Sequence, residues 1–473
     1  MGCTALVVVL VVGGGCTSGD GSSSADAAPV GPAELDPTCA GPPPGEPVDI
    51  TFAHAEGGPR ADRIADYVEA FERENPGVHV DVVPVGDGNG AVLEDWRRQS
   101  PADRPELMLQ PQTANARLID SGQTVAPGGC IRQVAPDMLD AISRAWSAGG
   151  VLQAVPFAVS TPVLLYDRRI FRRAGLDPDR PPTTLDDLRG AAFRAWSSGA
   201  ADHGLLFDTG PESGASWILE QIPARAGQVA YEPQNGRHGT ATSVTWRSGL
   251  ALGTLEWLAE GTRDGWATSV GQHPLDSLRR ALDPATSVAM TFSTCGALGE
   301  IYDLLDRDAT PDIELDVARL PRPDEGPAFG QGHGSLPGGS ALWIAGGKSE
   351  AETAAAWALA RHLASPEVQA DWAVATGSVP ISPTAARRPE VRRRWTEHPG
   401  MRVAYDVLAE QGRSPEELGP LVGPLGEVHE IEAWAVDEVV RGTEPVDALM
   451  VAADDADRLL QAYDRSRPRS PGG

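Results

Sequence analysis

The segment 48–84, VDITFAHAEGGPRADRIADYVEAFERENPGVHVDVVP, decides the fold class. Its first residues, Val48-Asp49-Ile50-Thr51-Phe52, alternate apolar and polar side chains with the period of a half-buried strand. A Gly-rich turn from Glu56 to Pro59 follows, and Ile64, Val68 and Phe71 then recur at helical spacing. Asn75-Pro76-Gly77 stops that helix, and Val78, Val80 and Val82 resume the alternation of a strand. Strand, helix, strand predicts a βαβ unit, and with it a parallel sheet flanked by helices.

Outward from this unit the same grammar returns. Pro162 to Asp167 (PVLLYD) reads as an apolar strand, and Arg168 to Ala174 as a helix ended by Gly175. Thr184 and Asp187 have the spacing of a capping box at the start of the next helix. Val288 to Thr291 and Ala341 to Ile344 read as strands, and Glu350 to Leu363 as a long Ala-rich helix. Ser365-Pro366-Glu367 starts another helix with an N-cap, a proline at the first position and an acid in the first turn. Helices continue to about Tyr463, and the Pro/Ser/Gly-rich tail from Arg465 to Gly473 is expected to fray.

Before residue 48 the composition changes. Ala5 to Val12 (ALVVVLVV) is too short for a membrane span, which needs about 20 apolar residues. With Gly13-Gly14-Gly15 and then Cys16 it fits a secretory leader ending at a lipobox-like cysteine, although Gly13 stands where an aliphatic residue is usual. Residues 1–16 are therefore expected to be a signal peptide, with Cys16 the acylated anchor. Residues 17–45, rich in Ser, Gly, Ala and Pro, are expected to form a disordered tether. An exported chain favours disulfides. Cys39 and Cys130, both in Pro/Gly-rich stretches, are the expected pair, and Cys295, in an apolar stretch, a buried free thiol.

The chain of 473 residues allows two or three cores, and its net charge of −27 disfavours nucleic acid and anionic lipid surfaces. Catalytic and cofactor motifs fail on inspection. No G-x-S-x-G elbow occurs. His429-Glu430 begins a zinc-protease motif, but its second histidine position is Ala433. Gly347-Lys348-Ser349 matches only the end of a P-loop, with Leu342 at the leading glycine position. The scattered histidines and cysteines predict no metal site, and no cofactor is expected.

Several segments jointly resemble the family 1 extracellular solute-binding proteins of ABC importers, nearest their glycerol-3-phosphate-binding branch. They are Val155 to Asp167 (VPFAVSTPVLLYD), Phe171 to Pro178 with Pro181 to Thr184, Ala289-Met290-Thr291, Gly338 to Ile344 (GGSALWI) and Thr376 to Ile381 (TGSVPI), in the family's order over about residues 46–463. The resemblance implies an α/β, two-lobed, type II-like periplasmic-binding-protein fold, with discontinuous lobes joined by a hinge. Lobe one would hold 46–155 and 285–345; lobe two would hold 156–284 and 346–473. It implies a non-enzymatic monomer on the extracellular face of the cell membrane, held there by its lipid anchor alone and delivering solute to ABC permease subunits. Two alternatives remain open: a receptor feeding a membrane sensor, and a secreted glycoside or phosphodiester hydrolase.

By the same resemblance the ligand would meet Gln112, Ser160, Trp217, Thr294, Gly338, Gly339, Ser378 and His429. This chain departs from the branch at several of these positions: Gly90 and Ser378 stand where tyrosines are usual, Gly214 replaces one of two tryptophans, Gln112 replaces an acid, and His429 replaces the phosphate-gripping arginine. An arginine fork holds phosphate bidentately with a permanent charge, and an imidazole does not. The expected ligand is therefore a glycerophosphodiester or an oligosaccharide rather than glycerol-3-phosphate itself.

Overall fold

A computed structural model describes residues 39, 41, 47–86, 88, 90–211, 217–273, 276–307, 313–324 and 335–467. Cys16, Gly214 and almost all of the expected leader and tether lie outside these residues. The alternating segment forms β1 (Val48–His54) and β2 (Val78–Pro84), paired in parallel across the helix Gly58–Glu74. Ile50 and Phe52 face the core with Ile64, Val68 and Phe71 of the helix, as the two periodicities require. β3 (Leu107–Pro111) joins β1 on its other side, and β4 (Thr124–Val125) follows. A small hairpin of β5 (Ser147–Ala148) and β6 (Val151–Leu152) precedes β7 (Val155–Ser160), which returns to the first sheet.

At Thr161 the chain passes into a second sheet through β8 (Pro162–Asp167) and β9 (His203–Phe207). Strands β10 (Tyr231–Glu232) and β11 (Ser243–Val244) pair as a separate antiparallel ribbon. β12 (Ala267–Ser269), β13 (Val288–Thr294) and β14 (Leu315–Arg319) complete the second sheet, in the order β12-β9-β13-β8-β14. β15 (Gly338–Ala345) re-enters the first, antiparallel to β3 on one edge and to β7 and β4 on the other. β8 explains why PVLLYD reads as uniformly apolar. Its Val163 and Leu165 join the first core and its Leu164 and Tyr166 the second, so both faces are covered.

The two lobes are discontinuous, but their boundaries differ from the expectation. β7 belongs to the first sheet, so the first crossover falls at Thr161 rather than at residue 155. Of 285–345, expected whole in lobe one, the helix Leu298–Asp306 and β15 pack there, whereas β13 and β14 are strands of the second sheet. Of 346–473, expected in lobe two, the helices Glu350–Leu363 and Pro366–Thr376 bury Trp357, Leu359 and Trp372 in the first core. Only the helices Leu425–Val440 and Pro445–Ser466 fill the second. Buried strands and Ala-rich helices look alike in either lobe, so local pattern carries no sign of which sheet a segment joins.

Local signals fare better. Thr184 and Asp187 form the capping box, and the Ser365 hydroxyl accepts from the amide of Val368. Cys39 and Cys130 are bonded, with Cα atoms 5.5 Å apart, and Cys295 is a buried free thiol. The disulfide fastens the end of the stretch read as tether to the first lobe. The tail is also held further than expected: the last helix runs to Ser466, and the Arg467 guanidinium donates to Asp120 at 2.6 Å.

Arg237, in the loop between β10 and β11, ties the lobes together. Its Nε donates to Gly419 O (2.9 Å), its Nη1 to Arg144 O and Ser147 O (3.1 and 3.2 Å), and its Nη2 to Ala145 O and Leu418 O (3.1 and 2.9 Å). All five N–H groups of the guanidinium are used. Burial first, and Arg144 nearby second, push its pKa down to about 10. Arg237→Lys supplies three donors for five carbonyls, and urea unfolding is expected to show a loss of about 1–3 kcal/mol. A variant of unchanged stability would show that water replaces the missing bonds.

Candidate ligand-binding cleft

Strand ends from both sheets converge on one cleft of about 550 Å³. Pro111 ends β3, Ser160 ends β7, Pro162 begins β8, Thr294 ends β13 and Gly338 begins β15, and all five line it. Loops at strand ends are where open α/β sheets leave room for a ligand. Gln112, in the turn after β3, donates through Nε2 to Pro420 O at 3.1 Å and so reaches across to the approach of the helix Leu425–Val440. Trp217 precedes the helix Ile218–Ala224, 9 % exposed, between the cleft and the second core. On that helix Gln221 accepts the amide of Leu336 at 3.0 Å, which braces the approach to β15.

Seven of the eight expected ligand contacts thus line the cleft: Gln112, Ser160, Trp217, Thr294, Gly338, Gly339 and His429, with Gly90 beside them. Ser378 does not. It is buried at the turn after the helix Pro366–Thr376, where its Oγ accepts from the Thr376 hydroxyl at 2.9 Å and its amide donates to the same oxygen. A serine there is too short to reach past its own turn.

The cleft's charge was not legible in advance. Among the described residues, Glu94, Glu220, Glu427 and Glu430 line it against one guanidinium, Arg117. Arg117 is already engaged, donating to Gly423 O at 2.8 Å and to the Glu427 carboxylate. His429 Nε2 lies 3.4 Å from Glu220 Oε1, and Glu432, one helical turn further, is fully buried behind them. Tyr231 donates to Glu220 or to Glu432, the latter at 3.2 Å. Burial first, and the Glu220 carboxylate second, hold Glu432 well above the ordinary carboxylate range, against the lowering effect of the Tyr231 bond. The sequence did carry one hint of this group: His429 and Glu432 are three apart, which places them on one helix face.

A larger depression of about 950 Å³ lies over helices of the first lobe, lined by charged side chains. Three of its six arginines pair with acids of the same lining: Arg63 with Asp371 at 2.5 Å, Arg60 with Glu300 at 3.1 Å and Arg394 with Asp303 at 2.6 Å. It reads as a solvated surface of mixed charge rather than a pocket for a solute.

Two α/β lobes around a polar, solute-sized cleft define a binding protein of the two-lobed periplasmic type. The chain belongs to the bacterial extracellular solute-binding proteins, whose family model matches residues 66–402. Among curated proteins it is 24% identical over 439 residues to the sn-glycerol-3-phosphate-binding periplasmic protein UgpB of Pectobacterium atrosepticum, covering 88% of this chain and 92% of that one. The protein of the same name from Escherichia coli K12 is 25% identical over 433 residues, covering 88% and 93%. Among solved structures, UgpB from Mycobacterium tuberculosis in complex with glycerophosphocholine superposes with a TM-score of 0.73 at 18% identity, over 89% of this chain and all of that one. The GacH receptor of Streptomyces glaucescens, solved unliganded and with acarbose, gives 0.69 at 19% identity over 88% and 99%. Each of these relatives is named for, or solved with, a small solute that it binds. No helix among the described residues is long and apolar enough to cross a membrane.

Proposed function

We propose that this protein is the capture subunit of an ABC importer, anchored outside the cell through Cys16, and that it binds its solute without turning it over. The solute is uncharged or zwitterionic: an oligosaccharide, or a glycerophosphodiester with a cationic head group. The charge of the cleft carries this reading. Among the described residues four carboxylates face one arginine that is already bound to Glu427 and Gly423, so a phosphomonoester dianion would enter a field of its own sign. Trp217 offers an aromatic face, and Gln112, Ser160 and Thr294 offer polar groups, as sugar hydroxyls need. The named ligands of the relatives, glycerol-3-phosphate and glycerophosphocholine in one group and acarbose in another, bracket the same choice.

Thermal-shift measurements on the purified protein test it. A solute at 100 times its Kd adds about 2.7 kcal/mol of stability. Oligosaccharides or glycerophosphocholine are expected to raise the melting temperature, to be recovered unchanged, and to leave glycerol-3-phosphate without effect. A shift with glycerol-3-phosphate alone would sink the electrostatic argument.

A further inference from the structure

Glu220, His429 and Glu432 converge from two helices at the wall of the cleft, each offering a ligand atom within 4.8 Å of the others. Glu432 has no exposed surface, and while its Oε1 accepts from Tyr231, its Oε2 has no partner among the described residues. His429 Nε2 faces Glu220 at 3.4 Å and makes no hydrogen bond with the described residues. Among the described residues no arginine or lysine pairs with either glutamate. Ionising both of two carboxyl groups buried together with no arginine or lysine beside them is costly, and a bound divalent cation removes that cost.

One imidazole nitrogen with two carboxylates is the donor set of a divalent transition metal rather than of calcium or magnesium, which favour oxygen alone. We propose that Glu220, His429 and Glu432 form a binding site for a divalent metal ion of the zinc class, with a coordination position open toward the cleft. Glu220 and His429 line the cleft whereas Glu432 lies behind them, so a metal held by all three meets solvent on the cleft side. Bonds of about 2.0–2.2 Å in a tetrahedral site require the widest pair to draw in by up to about 1.4 Å, within the reach of side-chain rotation. The Tyr231 hydroxyl, which donates to Glu220 or to Glu432, orients the carboxylate it bonds as an outer-shell donor. The site does not depend on which solute the cleft takes, because its test uses the solute-free protein.

The purified protein is stripped with chelator, titrated with Zn²⁺ by calorimetry, and assayed for retained metal after dialysis. One zinc ion per chain is expected, with a rise in melting temperature, and with Mg²⁺ and Ca²⁺ binding far more weakly. Glu432→Gln keeps the shape of the side chain, and its fold is checked by circular dichroism. It is expected to bind zinc at least about 10-fold more weakly, since removing a ligand costs no less than removing an outer-shell partner. His429→Ala, at the cleft wall, gives the same comparison if the glutamine variant fails to fold. A wild-type protein that retains no zinc overturns the proposal. So does undiminished zinc binding by both variants, which would place the ion on histidines elsewhere.

Discussion

Lys348→Met is expected to cost about 3–5 kcal/mol of folding stability, because it leaves a buried carboxylate without its cation. Lys348 is the chain's only lysine, and in sequence it resembles the end of a P-loop. Its structural role is different. Its Nζ lies 2.6 Å from Glu106 Oε1, with side-chain exposures of 5 % and 9 %, and donates to Ala102 O at 3.0 Å. Glu106 in turn accepts the amide of Thr51 at 2.8 Å, and its carbonyl accepts from Ala345. The pair therefore pins β1, the entry to β3 and the end of β15 at one edge of the first lobe. Methionine matches the stem of lysine out to Cε, so most of the packing is preserved and the loss reports chiefly the missing charge. Lys348→Met combined with Glu106→Gln should recover most of the loss, since the glutamine can still accept from Thr51 and no longer carries an unpaired charge. Urea unfolding of the two single variants and the double variant reads this directly. A loss under about 1 kcal/mol for Lys348→Met would mean that water reaches Glu106.

Gly339→Ala is expected to cost more than about 4 kcal/mol and to abolish solute binding, from strain at a special backbone position. Gly339 has a φ of +93°, where a side chain is strained, and a Cβ there would sit 2.0 Å from Ala158 O and 2.9 Å from Ser160 N. The clash is with backbone on both counts, so no rotamer change relieves it. It falls where β15 pairs with β7, next to a register shift between Ser340 and Ala341, and moving it displaces Ser160 at the cleft. Gly338→Ala is the control. Its Cβ would approach nothing closer than 3.8 Å, so a change within about 1 kcal/mol is expected. Melting and solute titration of the two variants should separate sharply. Equal behaviour would show that the strand pairing adjusts freely at this point.

The two glycines show how much of the site was legible beforehand. Resemblance brought both to attention as ligand contacts, but only the approach of β7 shows that Gly339 is required by the backbone itself. Ser378 failed as a contact because its turn folds the side chain back onto Thr376, an outcome decided by local geometry that residue type does not reveal. Glu220 and Glu432 were passed over because they lie 212 positions apart and acids are common in this chain. Their proximity arises only when the helices Ile218–Ala224 and Leu425–Val440 pack around Tyr231.

Short-range physics was written plainly in the chain. Alternation at Val48–Phe52, helical recurrence at Ile64, Val68 and Phe71, and the caps at Thr184 and Ser365 determined the elements and the α/β class, because each depends on neighbours a few residues away. What belongs to which lobe was decided only in three dimensions. β13 and β15 are both apolar strands, yet one joins the second sheet and the other the first. That choice rests on pairing between strands far apart in sequence, which periodicity does not encode. The acidic character of the cleft has the same origin, since it is set by which carboxylates the two lobes bring face to face and by Arg117 having already found its partner.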